Sequence, residues 1–193
     1  MRDRATSKRA KLRIHSARAI CHSDNAGPDG SCHHGQVDDR IAVQDTYPED
    51  FAHCFGCGRY NQAGHQLKTF AAGDETITEH EPAPIYTGAG EFAYGGLIAS
   101  LIDCHCVGTA MSNYYHREGR EVGEGDEIWC VTGRLTVNYL APTPIDQEVT
   151  LRARIEEVTD KKTVLKCRFY SGETQTAEGE VVAVRVPPSW RGT

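Results

Sequence analysis

The stretch EFAYGGLIASLIDCHC, Glu91 to Cys106, decides the fold. Two glycines sit near its start, apolar residues fill it, and one carboxylate, Asp103, stands inside the apolar run. Continued from Gly95 to about Tyr114, it is the long helical candidate of the chain. Steps of roughly 100° per residue put Leu97, Leu101, Cys104 and Gly108 on one face and Ala99, Asp103, Cys106 and Ala110 on the opposite one. Apart from Asp103 neither face is charged. A helix that is apolar all round has to be enclosed by other elements, so the pattern predicts an α+β fold: a long central helix wrapped by a curved antiparallel sheet.

Strand patterns lie on both sides of it. Val131, Gly133, Leu135, Val137 and Tyr139 alternate with Thr132, Arg134, Thr136 and Asn138, the period of a half-buried strand. APTP, Ala141 to Pro144, interrupts the ladder because proline has no N–H to donate. EVTLRARIEEV from Glu148, TVLKCRFYS from Thr163 and EGEVVAVRV from Glu178 follow, separated by TDKK and SGETQ and spaced as an antiparallel meander. Upstream, HQLKTF and ETITEHE read as a hairpin around AAGD. An open sheet edge is a liability, which points to pairing with a second subunit.

Before residue 46 the periodicity is lost. MRDRATSKRAKLRIHSAR is rich in Arg and Lys, and SDNAGPDGSCHHGQVDD in Gly, Asp, Ser and His. Residues 1–45 therefore read as a flexible or irregular arm, residues 46–188 as the folded domain and residues 189–193 as a short tail. An Arg-rich start resembles a transit peptide, but Asp3 and the lack of a clean apolar face argue for a solvated tail. The net charge of −6 argues against a nucleic-acid binder. No apolar run reaches the ~18 residues of a membrane span, so a soluble, cytoplasmic protein is expected, with no membrane partner.

In order along the chain, CFGCGRYNQAGHQL (Cys54 to Leu67), YGGLIASLID (Tyr94 to Asp103) and GRLTVNYLAPTPI (Gly133 to Ile145) resemble the hotdog-fold thioesterases, most nearly the phenylacetic-acid-pathway (PaaI-like) type. The resemblance covers about residues 54 to 187. It implies the hotdog fold, a homodimer or dimer of dimers with active sites between subunits, and hydrolysis of acyl-CoA thioesters without a cofactor. It further implies Asp103 as general base or nucleophile, the Gly95 N–H as donor to the thioester carbonyl, and Thr132 as the hydroxyl that orients the attacking water from across the dimer.

Elementary chemistry reaches the same pair. Thioester hydrolysis needs an activated nucleophile and a stabilised oxyanion. The free N–H groups of a first helical turn serve the oxyanion, and Gly95 and Gly96 let a substrate approach them. Asp103 lies about two turns further on, ~10.5 Å along the axis, with room for an acyl group between. The family usually has histidine where this chain has Tyr94, and several members an amide where it has Gly88. Tyr94 could donate its phenol O–H or wall the acyl chain. These two positions keep open a hotdog protein that binds an acyl-CoA or related ligand without hydrolysing it. His105 is placed near the substrate as a group that tunes Asp103.

Eight cysteines are spread over the chain, and Cys104, Cys106, Cys130 and Cys167 lie in apolar segments where a free thiol acts as a small hydrophobe. Cys54 and Cys57 have the spacing of half a zinc site, with His53, Cys32, His33 and His34 as further donors, but a second pair at standard spacing is missing and no metal is expected. Cys104, His105 and Cys106 cannot all face one ion, since consecutive helical side chains diverge.

Overall fold

The structure, a computed structural model, describes residues 41–190. Helix α1 runs Gly95–Arg117, 23 residues, three further than the sequence pattern indicates. Tyr94 enters it in extended conformation, and Gly119, at φ 69°, closes it. There Gly119 N–H donates to His116 C=O and Arg120 N–H to Tyr115 C=O, each at 3.0 Å, which satisfies carbonyls the helix leaves open. Leu97, Ile98, Leu101, Ile102, Cys106 and Tyr115 are buried. One stripe stays partly open: Ala99, Ser100, Asp103, Cys104 and Val107, at helical spacing. Asp103 is the carboxylate on that stripe, which is why an otherwise enclosed helix tolerates it.

Strands β1 (Phe70–Ala72), β2 (Glu75–His80), β3 (Cys130–Tyr139), β4 (Val149–Val158), β5 (Lys162–Ser171) and β6 (Thr174–Arg185) form one antiparallel sheet in the order β1-β2-β4-β5-β6-β3. Leu151, Leu165, Cys167, Phe169, Val181 and Ala183 turn inward against α1. Full burial of each large apolar side chain contributes about 1.5–3 kcal/mol. On β6, a Cβ on Gly179 would lie 2.7 Å from Ile102 Cγ2, so its missing side chain sets how closely helix and sheet approach. No helix among the described residues is long and apolar enough to cross a membrane.

The expected three-strand meander forms as β4-β5-β6, with β3 on the far side of β6 and β2 on the free side of β4 (Thr78 opposite Leu151). Three other sequence expectations are corrected. β3 is less buried than its alternation suggests: Val131 and Tyr139 are 42% and 54% exposed, because an edge strand has a neighbour on one side only. In the first hairpin, β1 begins only at Phe70. A 3-10 turn at Val43–Thr46 occupies the backbone before it, with Val43 N–H donating to Thr69 C=O (2.9 Å) and Thr69 N–H to Gln44 Oε1 (2.7 Å). Ala42, Val43 and Gln44 are buried, so residues 41–45 belong to the domain; residues 1–40 of the expected arm, with Cys32, His33 and His34, and residues 191–193 of the tail lie outside the described residues.

Gly179→Ala is expected to force α1 off β6 and cost about 1–3 kcal/mol, the range for overpacking a close-packed core. Equilibrium denaturation measures it, and an unchanged midpoint would show that the close approach is not a constraint.

Candidate active site

Asp103 meets β3 at the helix–sheet seam. Thr132 Oγ1 donates to Asp103 Oδ1 of its own chain in a short hydrogen bond, whereas the resemblance places this hydroxyl across the dimer. The carboxyl is raised above its ordinary 3.8 chiefly by burial, with the Thr132 hydrogen bond opposing the shift. Both residues line a cavity of about 410 Å³. Val107 and Met111, one and two turns after Asp103, line it as well, and Phe51 and Val131 add apolar wall. The cavity thus pairs one polar, partly desolvated corner with an apolar body.

The helix start opens elsewhere. Gly95 and Gly96 line a second cavity, of about 620 Å³, with Phe92, Ile98, Tyr139 and Thr143. Tyr139 O–H donates to Gly95 C=O at 2.7 Å, so the last residue of β3 anchors the first residue of α1. The N–H groups of Gly95 and Gly96 belong to the first turn, where no helical carbonyl is available to them. The spacing of glycines and Asp103 along the helix is as the sequence indicates, yet one chain does not bring them into one cavity.

Tyr94 is partly exposed and stacks on Tyr86, ring centroids 6.3 Å apart at 28°. A Cβ on Gly96 would lie 2.3 Å from Tyr94 Cε2, so this ring lies over Gly96; a Cβ on Gly88 would come within 3.1 Å of the Tyr94 backbone. Gly88 is therefore a close-packing position under the Tyr94 backbone. His105 sits apart from the other site residues. It is fully buried, and its Nδ1 lies 2.8 Å from Thr78 Oγ1 and 3.1 Å from Thr69 Oγ1. The Thr78 hydroxyl gives its proton to Lys68 C=O, so it accepts from Nδ1. Burial holds the imidazole down at about 3, neutral and structural rather than at the substrate, because two helical residues on from Asp103 the side chain points to the other side.

Sequence reasoning missed one grouping. The turn carrying Cys54 and Cys57 packs against α1 beside Asp103, and Cys54 Sγ lies 3.8 Å from Cys104 Sγ, 50 residues away in sequence. A Cβ on Gly56 would lie 2.1 Å from Cys104 Sγ, so glycine is what admits this sulfur. Hydrogen bonds from Cys104 and Cys57 hold the Cys54 thiol far below the usual range. All three cysteines line the Asp103 cavity.

Comparison with known proteins fits this geometry. The thioesterase superfamily model matches residues 90–178. A thioesterase superfamily protein from Shewanella loihica PV-4 is 36% identical, with 75% of this chain and 99% of that one covered and a TM-score of 0.54. The PaaI protein of the E. coli phenylacetic acid degradation operon shares the fold at 12% identity, 64% and 81% coverage and a TM-score of 0.52. A Streptococcus mutans UA159 protein solved bound to acetyl CoA does so at 15% identity, 62% and 88% coverage and a TM-score of 0.50. The acyl-coenzyme A thioesterase THEM4 of Xenopus laevis is 24% identical over 131 residues, 66% of this chain and 48% of that one. The chain thus spans about half the length of that curated relative. It belongs to the thioesterase superfamily and has the hotdog fold.

Thr132→Val keeps shape but deletes the donor to Asp103. The Asp103 carboxyl is then expected to titrate higher than in the wild type, since the hydroxyl bond is what opposes burial. Carboxyl-carbon NMR across a pH series reads it, and an unshifted titration would mean that the bond does not stabilise the carboxylate.

Proposed function

We propose that the chain hydrolyses acyl-CoA thioesters, with Asp103 as the general base or nucleophile. The observation that carries this reading is the hydrogen-bonded Asp103–Thr132 pair in the polar corner of an apolar cavity. Membership of the thioesterase superfamily supports the reaction class, and the acyl-coenzyme A thioesterase relative and the acetyl-CoA-bound neighbour support the substrate class.

As a base, the Asp103 carboxylate takes a proton from water while the water oxygen attacks the thioester carbonyl, and the Thr132 hydroxyl holds the carboxylate in place. Backbone N–H donation from Gly95, at the positive end of the helix dipole, stabilises the oxyanion. Collapse of the tetrahedral intermediate expels coenzyme A as thiolate, which takes up a proton. Because base and oxyanion donor open into separate cavities of one chain, we infer that a second copy completes the site, the Asp103–Thr132 half of one protomer facing the Gly95 half of the other. Exposed Val131, Tyr139 and Leu140 at the β3 edge are the surface such a pairing would cover.

The second reading, acyl-CoA binding without hydrolysis, is favoured by one feature: the Tyr94 ring lies over Gly96 at the helix start. Free-thiol release from short, medium and aryl acyl-CoAs separates the two. Asp103→Asn is expected to lower kcat by roughly 10²–10⁴-fold, the usual worth of a positioned base, while the protein stays folded and binds ligand. In the wild type the acid limb of kcat/KM is expected above the ordinary carboxyl value of 3.8, since burial raises Asp103 and activity requires its deprotonated form. A folded wild type that binds acyl-CoA and releases no thiol would establish the binding reading instead.

A further inference from the structure

The cysteines around Asp103 carry a separate chemistry. Cys54, Cys57 and Cys104 each offer a sulfur, and the three sulfurs lie within 4.8 Å of one another. Zinc–thiolate bonds of about 2.3 Å in a tetrahedron set the sulfurs roughly 3.8 Å apart. The Cys54–Cys104 separation is 3.8 Å, and both are free thiols. Cys54 and Cys57 come from a tight turn in which Gly58 N–H donates to Cys54 C=O at 2.8 Å. At Gly58 a Cβ would lie 2.5 Å from Ala52 O and Cys54 N, so glycine is required for the turn to close.

Three features distinguish this from a packing cluster of thiols. Cys54 is exposed, which gives an ion a way in, whereas Cys106, Cys130 and Cys167 are buried. The trio shares its cavity with Asp50 and Asp103, whose negative charges favour a cation. And Gly56 leaves space that the third sulfur fills, so the turn and helix are shaped to bring it there.

We propose that Cys54, Cys57 and Cys104 form a three-thiolate site for a divalent, thiophilic ion, Zn²⁺ by coordination chemistry, with its fourth position open to the cavity that holds Asp103. Binding replaces the remaining thiol protons, which pass to solvent, and forms one metal–sulfur bond per cysteine. The ion ties the Cys54–Cys57 turn to α1 one residue after Asp103. The site stands whether or not the cavity hydrolyses thioesters, and its test needs no turnover.

The full chain, reduced and stripped by a chelator, is titrated with Co²⁺ and followed by absorption. One equivalent per chain is expected to give the intense visible bands of tetrahedral cobalt and a thiolate-to-cobalt charge-transfer band, both abolished by Zn²⁺, and either ion is expected to raise Tm. Cys104→Ser should weaken binding by at least the roughly 10–100-fold that even outer partners of a metal contribute. Cys167→Ala, outside the trio, should leave it intact. If Cys104→Ser fails to fold by circular dichroism, Gly56→Ala, which displaces the same sulfur, should weaken binding likewise. Absence of the thiolate–cobalt band in reduced wild type, or an unchanged band in a folded Cys104→Ser or Gly56→Ala protein, would overturn the assignment.

Discussion

A helix with no polar face must be covered on every side, and most of this structure is the consequence. The sheet covers one side of α1, with Gly179 allowing contact with Ile102. Segments before β1 cover much of the rest: Gln44, bonded to Thr69, and the Cys54–Cys57 turn beside Cys104. What remains is one narrow stripe, and Asp103 stands on it. The carboxylate is thereby half withdrawn from water, its affinity for a proton raised, and its single hydroxyl partner, Thr132, supplied by the strand that borders the stripe. Enclosure of the helix and partial desolvation of this carboxylate are one structural event.

One chain holds the two halves of the proposed site in separate cavities. Tyr139 O–H bonds the Gly95 carbonyl and so ties the end of β3 to the first turn of α1, which lines its own cavity. β3 contributes Thr132 to one half and Tyr139 to the other, yet it is an edge strand with large apolar side chains in the open. In the proposed pairing a second copy would cover this edge, which both halves border.

Much of this was legible in the sequence where the signal is local. The helix start follows from the glycine pair and the apolar run, and β4, β5 and β6 from alternation that the inward-facing Leu151, Leu165 and Val181 satisfy. The hydrogen bond of Thr132 to Asp103 joins two residues singled out by resemblance and by position. What could not be read is long-range. Neither the pairing of β3 with β6 nor the exposure of its apolar side chains is written in a period-2 pattern. Cys104 joins Cys54 across 50 residues through a turn whose glycines leave no periodic trace. His105 was misplaced because adjacency in sequence to Asp103 suggests adjacency in space, whereas a helix sends the two side chains apart and the threonines of β2 and Thr69 claim the imidazole.

That a base from one protomer meets an oxyanion donor from the other is tested most directly by subunit complementation. One inactive variant is Asp103→Asn. The other is Gly95→Pro, which removes the N–H at the first helical position, where proline is tolerated and extended Tyr94 suits it. Mixed and reassembled, the two are predicted to regain about a quarter of wild-type thioesterase activity, because roughly half the dimers are then hybrids with one intact site of two. Hybrids that form and remain inactive would place both groups in the same chain's site and contradict the account.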